Sequence, residues 1–130
     1  MPVGRAPSGR YSHTASIITW HKQHYMVIIG GYDNKHYLNA IHVLHLEARK
    51  WKQCTPTTNS ASFIPRARHS AAATASEIYV FGGCTQPMGQ ENGSKRTKKC
   101  KKLNDLYSLR VHVSGNYMCI PPFTIKPRIN

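Results

Sequence analysis

Acidic side chains are few in this sequence: 5 Asp and Glu stand against 18 Lys and Arg, which leaves a formal charge of +13. So lopsided a balance makes an acidic partner, nucleic acid among them, a candidate. Long apolar runs are missing too. Nothing approaches the roughly 18 consecutive apolar residues of a membrane-spanning helix, so no contact with a membrane is expected. The opening "MPVGRAPSGR" has two arginines but no apolar core behind them, which excludes a secretory signal and leaves an intracellular, most simply cytoplasmic, chain as the expectation. The four cysteines form no Cys-x-x-Cys pair and have no histidine at zinc-finger spacing, which argues against structural zinc. Two readings of them stay open: free thiols in a reducing compartment, or a bridge from Cys84 to Cys100 that closes the intervening loop. The sequon at Asn92 bears only on a secreted chain. Sustained helical periodicity is absent.

What is present is a series of short apolar runs separated by turn residues. In 130 residues there is room for one small domain, burying roughly two-thirds of its unfolded surface. "ASIIT" (15–19), "YMVII" (25–29), "IHVLHL" (41–46) and "KWKQC" (50–54) make one set of four. "SAAAT" (70–74), "IYVF" (78–81), "LYSLRV" (106–111) and "NYMCI" (116–120) make a second. Both faces of "IHVLHL" carry apolar groups, as a strand inside packed sheets requires. The fold class is all-β.

The two sets repeat each other. Gly30 and Gly31, at the end of "YMVIIGG", superpose on Gly82 and Gly83 at the end of "IYVFGG"; "YLNAIHVLHL" (37–46) lies over "KLNDLYSLRV" (102–111). Upstream, "PSGRYSHTA" is set against "PRARHSAAA" with Pro7 on Pro65 and Arg10 on Arg68. A period of about 50 residues with four strands per unit is the signature of a propeller blade. A phosphate loop is excluded, because neither "GGYDNKHY" nor "GGCTQPMG" contains the Gly-x-x-x-x-Gly-Lys-Ser/Thr run that opens a helix.

With its Pro-x-x-Arg start, apolar strand closing on Gly-Gly, "LNDLY"-type strand and late aromatic (Trp51, Tyr117), the sequence resembles the kelch repeat family, twice over. The resemblance implies part of a β-propeller: two four-stranded antiparallel blades, repeat 1 over 7–56 and repeat 2 over 62–122, then a Pro-rich tail at 123–130. Gly30, Gly31, Trp51, Gly82, Gly83, Tyr107 and Tyr117 are the repeat markers. The glycines are expected where a side chain would collide with the next strand or blade, and Trp51 and Tyr117 where they bury area between blades. Propellers close with about four to eight blades. Two blades therefore imply missing blades from a longer protein, self-association into a ring, or a marginally stable piece, and the first is the preferred expectation.

Family resemblance also implies a protein-interaction module of scaffold or adaptor type that binds another protein through loops on one face. Carried onto this chain, the contacts are Tyr32, Asp33 and Asn34 after the first glycine pair, and Arg10, Arg66 and Arg68. The competing reading of such arginines is a pairing with a carboxylate or backbone carbonyls inside the propeller. Repeat 2 also carries an insertion at 84–102 whose six charges, Lys95, Arg96, Lys98, Lys99, Lys101 and Lys102, offer a second function: nucleic-acid or nuclear association. No aromatic interleaves these charges, so base stacking is unsupported. Of the eight histidines, His21 and His24 fall in an expected hairpin, while His42 and His45 fall on opposite faces of a strand. Neither pair makes a metal site. The Tyr₂His₂ copper and Glu-x-x-x-Asp-x-x-x-His iron sets hosted by related architectures are missing, so no cofactor, metal or catalytic residue is expected.

Overall fold

A computed structural model describes residues 2–54, 63–75, 77–87, 100–110, 112–114 and 117–119. The described residues are all strand, turn and loop, without a helix. The first unit is built from β1 (Val3–Gly4), β2 (Thr14–Trp20), β3 (Gln23–Ile29), β4 (Ile41–His45) and β5 (Lys50–Cys54), in the spatial order β1-β5-β4-β3-β2. Strands β2 to β5 form the expected antiparallel blade. Two turn residues with positive φ, His21 and Lys22, close the β2–β3 hairpin. The two-residue β1 was not expected. It lies parallel to β5, with Val3 opposite Lys50 and Gly4 opposite Trp51, and covers the outer edge of the blade.

The second unit contains β6 (Ser70–Ala73), β7 (Glu77–Phe81), β8 (Cys84–Thr85), β9 (Lys101–Lys102), β10 (Leu106–Arg110), β11 (His112–Ser114) and β12 (Tyr117–Cys119). Here β6, β7 and β10 make a three-stranded antiparallel sheet in the order β10-β7-β6. The expected fourth strand is present as β12 and pairs with β11 rather than with β10. Strands β8 and β9 pair at the base of the insertion.

Alternation decides which face each blade offers the other. In blade 1, Ile18, Tyr25, Val27, Ile29, Ile41, Val43 and Cys54 point toward blade 2, which returns Phe63, Ile78, Val80, Tyr107 and Leu109; together they form the core. Each such Ile, Val or Leu contributes about 1.5–3 kcal/mol by leaving water. The inner strand β2 packs on β6 and β7, and Thr19 N–H donates to Ala75 O at 2.9 Å across the seam. The remaining faces of both blades carry apolar groups as well. On blade 1, Ile17, Met26, Leu44 and Trp51 stand opposite one another in a row across β2, β3, β4 and β5. On blade 2, Tyr79 and Phe81 are exposed.

The glycine pairs behave as a repeat marker should. A Cβ on Gly30 would lie 2.5 Å from Arg66 O of the other blade, and one on Gly83 would lie 2.6 Å from Ala67 O of its own. Both have positive φ, +65° and +93°. Leu44 opposite Trp51 and Ile41 opposite Cys54 place the Trp51 indole on the face turned away from blade 2, so the area it was expected to bury between blades is not against blade 2. The side chain of Tyr117 lies outside the described residues.

Candidate interaction site

The site is built where the chain leaves each glycine pair. In blade 1, Tyr32 bridges backbone to Tyr11 on one side and Tyr37 on the other. Their rings follow: Tyr11 and Tyr32 meet edge to face at 5.7 Å, and Tyr32 and Tyr37 lie at 4.8 Å. In the intervening turn, Asp33 Oδ1 accepts the N–H groups of His36 at 2.6 Å and Lys35 at 2.9 Å. These two bonds, His36 first, hold the Asp33 carboxyl below the usual carboxylate range. Asn34, at φ 77°, accepts the Tyr11 hydroxyl on Oδ1 at 3.0 Å. Tyr32 and Asn34 are thus presented at a rigid loop tip, while Asp33 is engaged in forming the turn. Tyr11, 47% exposed, joins them although the sequence reading missed it. Its signal was the aromatic directly after Arg10 in a segment that must pair with the post-glycine residue.

Blade 2 repeats the device with different chemistry. Ala67 and Cys84 exchange backbone bonds as Tyr11 and Tyr32 do, and Lys102 stands opposite Cys84 as Tyr37 stands opposite Tyr32. Cys84 Sγ lies 3.9 Å from the Tyr37 hydroxyl, joining the two loop ends. Burial, followed by the contact with Cys84, pushes Tyr37 up to about 12. Cys54, Cys84 and Cys100 are free thiols, so the Cys84–Cys100 bridge is not formed. Lys101 and Lys102 are exposed on β9; Lys95, Arg96, Lys98 and Lys99 lie outside the described residues.

The three arginines separate. Arg66 is fully buried. Its guanidinium holds Asp105 with both forks, Nη1 to Oδ1 at 2.7 Å and Nη2 to Oδ2 at 2.9 Å, and donates to Gly82 O at 2.9 Å and Ile64 O at 3.2 Å. It also lies over the rings of Tyr107, at 4.6 Å, and Phe63, at 4.9 Å. Burial raises the Asp105 carboxyl, but the bonds from Arg66 and Tyr107 outweigh it and keep it below the usual range. Arg66 is therefore withdrawn from the candidate contacts: every donor direction faces the protein interior. Arg68, in contrast, is exposed at φ 59°, and its N–H donates to Ser12 O at 2.9 Å, which sets it beside blade 1's loop end.

Arg10 resolves the register of the repeats. Its Nε donates to Ser8 O at 3.1 Å and its Nη1 to Gly30 O at 3.2 Å. These are the bonds Arg66 makes to Ile64 O and Gly82 O, so Arg10 corresponds to Arg66 and not to Arg68. Position 68 corresponds to Ser12, which shares its positive φ of 60°. Arg10 is half-buried, with Nη2 3.2 Å from Ser8 Oγ and 3.4 Å from His42 Nε2.

His21 lies in the expected hairpin turn, but His24 falls one residue into β3, with its Nδ1 2.6 Å from Glu47 Oε1; His45 stacks on Tyr25 on the face opposite His42, as expected. Among the described residues no three His, Cys, Asp or Glu side chains gather as metal ligands.

A family model described as the KLHDC2/KLHL20/DRC7 kelch-repeats domain matches residues 1–120. The chain belongs to the kelch-repeat family. It is similar to a Rho GTPase-activating protein, gacHH, of Dictyostelium discoideum, 32% identical over 78% of this chain but only 6% of that protein. It is also similar to tRNA wybutosine-synthesizing protein 2/3/4 of Arabidopsis thaliana, 34% identical over 62% of the chain and 8% of the relative. Host cell factor 1 of Rattus norvegicus is 34% identical over 62% and 4% respectively. The chain spans a small fraction of the length of each relative. The kelch repeat is a protein-interaction module.

Proposed function

We propose that this kelch unit acts as an adaptor that binds a partner protein through the loop ends beside its glycine pairs, with Tyr11, Tyr32, Asn34 and Arg68 as contacts. The observation behind this reading is the ring cluster Tyr11–Tyr32–Tyr37, held by backbone bridges and joined to Arg68 through Ser12. Aromatics and arginine on rigid loops are the groups that dominate interface energies. The relatives' diverse names support reading the blades as a binding unit within proteins of different activity, not as their catalytic part.

Affinity capture with the chain as bait tests the reading. A partner retained by the native chain should be lost when Tyr11 and Tyr32 are both replaced by Ser, and retained when the six basic residues from Lys95 to Lys102 become Gln. The reverse pattern would favour the second reading, association with nucleic acid through that segment, for which the exposed Lys101 and Lys102 on β9 are the support. Retention on a polyanion that weakens steeply with salt in the native chain alone would identify that case.

A further inference from the structure

Two thiols meet at the base of the insertion in repeat 2. Strand β8 pairs with β9 so that Cys84 stands opposite Lys102 and Thr85 opposite Lys101. Side chains alternate along a strand, so Cys84 shares a face with Lys102 and with Cys100, its diagonal neighbour. The Cys84 and Cys100 side chains interact directly, and both are free thiols. Cys54, the other free thiol among the described residues, is packed into the core between the blades.

The two thiols differ in access. Cys84 is 5% exposed, with its Sγ 3.9 Å from the Tyr37 hydroxyl; Cys100 is partly exposed. Burial first, then Cys100, pushes the Cys84 thiol up, while Tyr37 and Arg68 act the other way. Cys84 is therefore protonated at neutral pH and shielded from reagents that reach Cys100. An accessible thiol that reacts first, backed by a protected one that resolves it, is the arrangement of a reversible oxidation site. Spacing adds to this. Diagonal residues of an antiparallel pair stand about 7–8 Å apart at Cα, just beyond the roughly 4.4–6.8 Å that a disulfide spans. Bridging draws the start of β9 toward β8, and a bond formed under such strain is readily reduced.

We infer that Cys84 and Cys100 form a reversible oxidation site whose disulfide ties together the two ends of the 84–102 insertion. With hydrogen peroxide as the oxidant, the Cys100 sulfur forms an S–O bond as the O–O bond breaks, leaving a sulfenic acid and one water. The Cys84 sulfur then displaces the sulfenic hydroxyl, which leaves with the Cys84 proton as a second water. Two thiols are oxidised to one disulfide, and one peroxide is reduced to two waters; a dithiol reverses the change. The site uses none of the contacts assigned to partner binding, so it stands or falls independently of the adaptor reading.

The experiment treats the full chain with one equivalent of hydrogen peroxide at neutral pH, alkylates the remaining thiols and maps the peptides by mass spectrometry. The native chain should give a Cys84–Cys100 cross-link, two hydrogens lighter than the reduced pair and reopened by dithiothreitol. Cys100 stands at similar sequence distances from Cys84 and Cys119, so both bridges should form in urea. Folding should favour the bridge to Cys84 by roughly tenfold or more over that mixture. In Cys84→Ser, Cys100 should stop at a sulfenic acid that dimedone traps; in Cys100→Ser, Cys84 should stay unmodified. A native chain that joins Cys100 to Cys54 or Cys119, or that gives the same mixture as in urea, overturns the proposal. So does native Cys100 that is trapped by dimedone as fully as in Cys84→Ser.

Discussion

Arg66 and Arg10 make the same two backbone hydrogen bonds, yet one is sealed in the core with a carboxylate and the other is half open without one. The contrast follows from what lies on each blade. The entry segment of blade 2 (63–69) is sandwiched, with blade 1 over it: Gly31 N–H reaches Arg66 O at 2.8 Å, and Arg66 N–H reaches Leu38 O at 3.2 Å. The entry segment of blade 1 crosses an outward face. A buried guanidinium needs its counter-charge in the same chain; a half-buried one is still partly solvated and needs it less. The same backbone cradle holds a sealed ion pair in one repeat and, with Ala40 in the place of Asp105, an arginine without a carboxylate in the other.

The sharpest way to break the comparison is to remove the carboxylate that blade 1 already lacks. Asp105→Ala leaves Arg66 charged and buried without a partner, and a loss of about 3–5 kcal/mol is expected in urea denaturation. That is a large share of the roughly 5–15 kcal/mol typical of a domain. A loss near 1 kcal/mol would show that Arg66 is no more dependent on its partner than Arg10 is.

Next in size is the close approach that seats Arg66 against blade 1. Gly30→Ala places a methyl group 2.5 Å from Arg66 O at a φ of +65°, so backbone strain and displacement of the adjoining blade combine to about 2 kcal/mol or more. Gly9→Ala, whose Cβ would meet nothing within 4 Å, is the control and should be near neutral. Equal thermal shifts in the two variants would contradict the seam described above.

Acid should find the seam before it finds the ion pairs. Burial, ahead of Arg66, pushes His69 down to about 4, while its Nε2 lies 2.9 Å from Thr14 Oγ1 across the blades; His42 is likewise down to about 4. An unfolded histidine takes a proton near pH 6.5. Between pH 6.5 and 4 the unfolded chain therefore binds more protons, so stability is whole above that window and falls as pH drops through it. His69 should account for roughly 2 kcal/mol of the fall. Glu47, held at about 2 chiefly by the His24 N–H, and Asp105, held low by Arg66, lose their contributions only at lower pH. Urea midpoints at pH 7 and 4.5 check this, with His69→Gln expected to flatten the difference.

How much of this was legible in the sequence differs by element. Alternation and turn residues placed β3, β4 and β5 to within two residues at either end, and the glycine pairs named the blade. The arginines were misregistered because "PRAR" offers two candidates and the proline pair chose the wrong one. Aligning His13 with His69 would have put Arg10 on Arg66, since both histidines immediately precede the inner strand. Ala40 over Asp105 was already visible in that alignment, but a missing carboxylate carries meaning only once its arginine is known to be buried. The pairing of β1 with β5, and of β8 with β9, was not legible, since two-residue strands have no periodicity and depend on an edge supplied by the rest of the fold.

The smallest expected effect sharpens the comparison by converting one blade into the other. Ala40→Asp gives Arg10, which already donates to two backbone carbonyls, the carboxylate that Arg66 has, at a position only partly exposed. A charge-assisted pair there should add about 1 kcal/mol, below the cost of breaking Arg66–Asp105 because water still screens one side. Combined with Arg10→Gln in a double-mutant cycle, the gain should vanish, which assigns it to the pair and not to a change in local backbone propensity. Stabilisation that survives Arg10→Gln would mean that the new carboxylate has found Arg5 or His42 instead of Arg10.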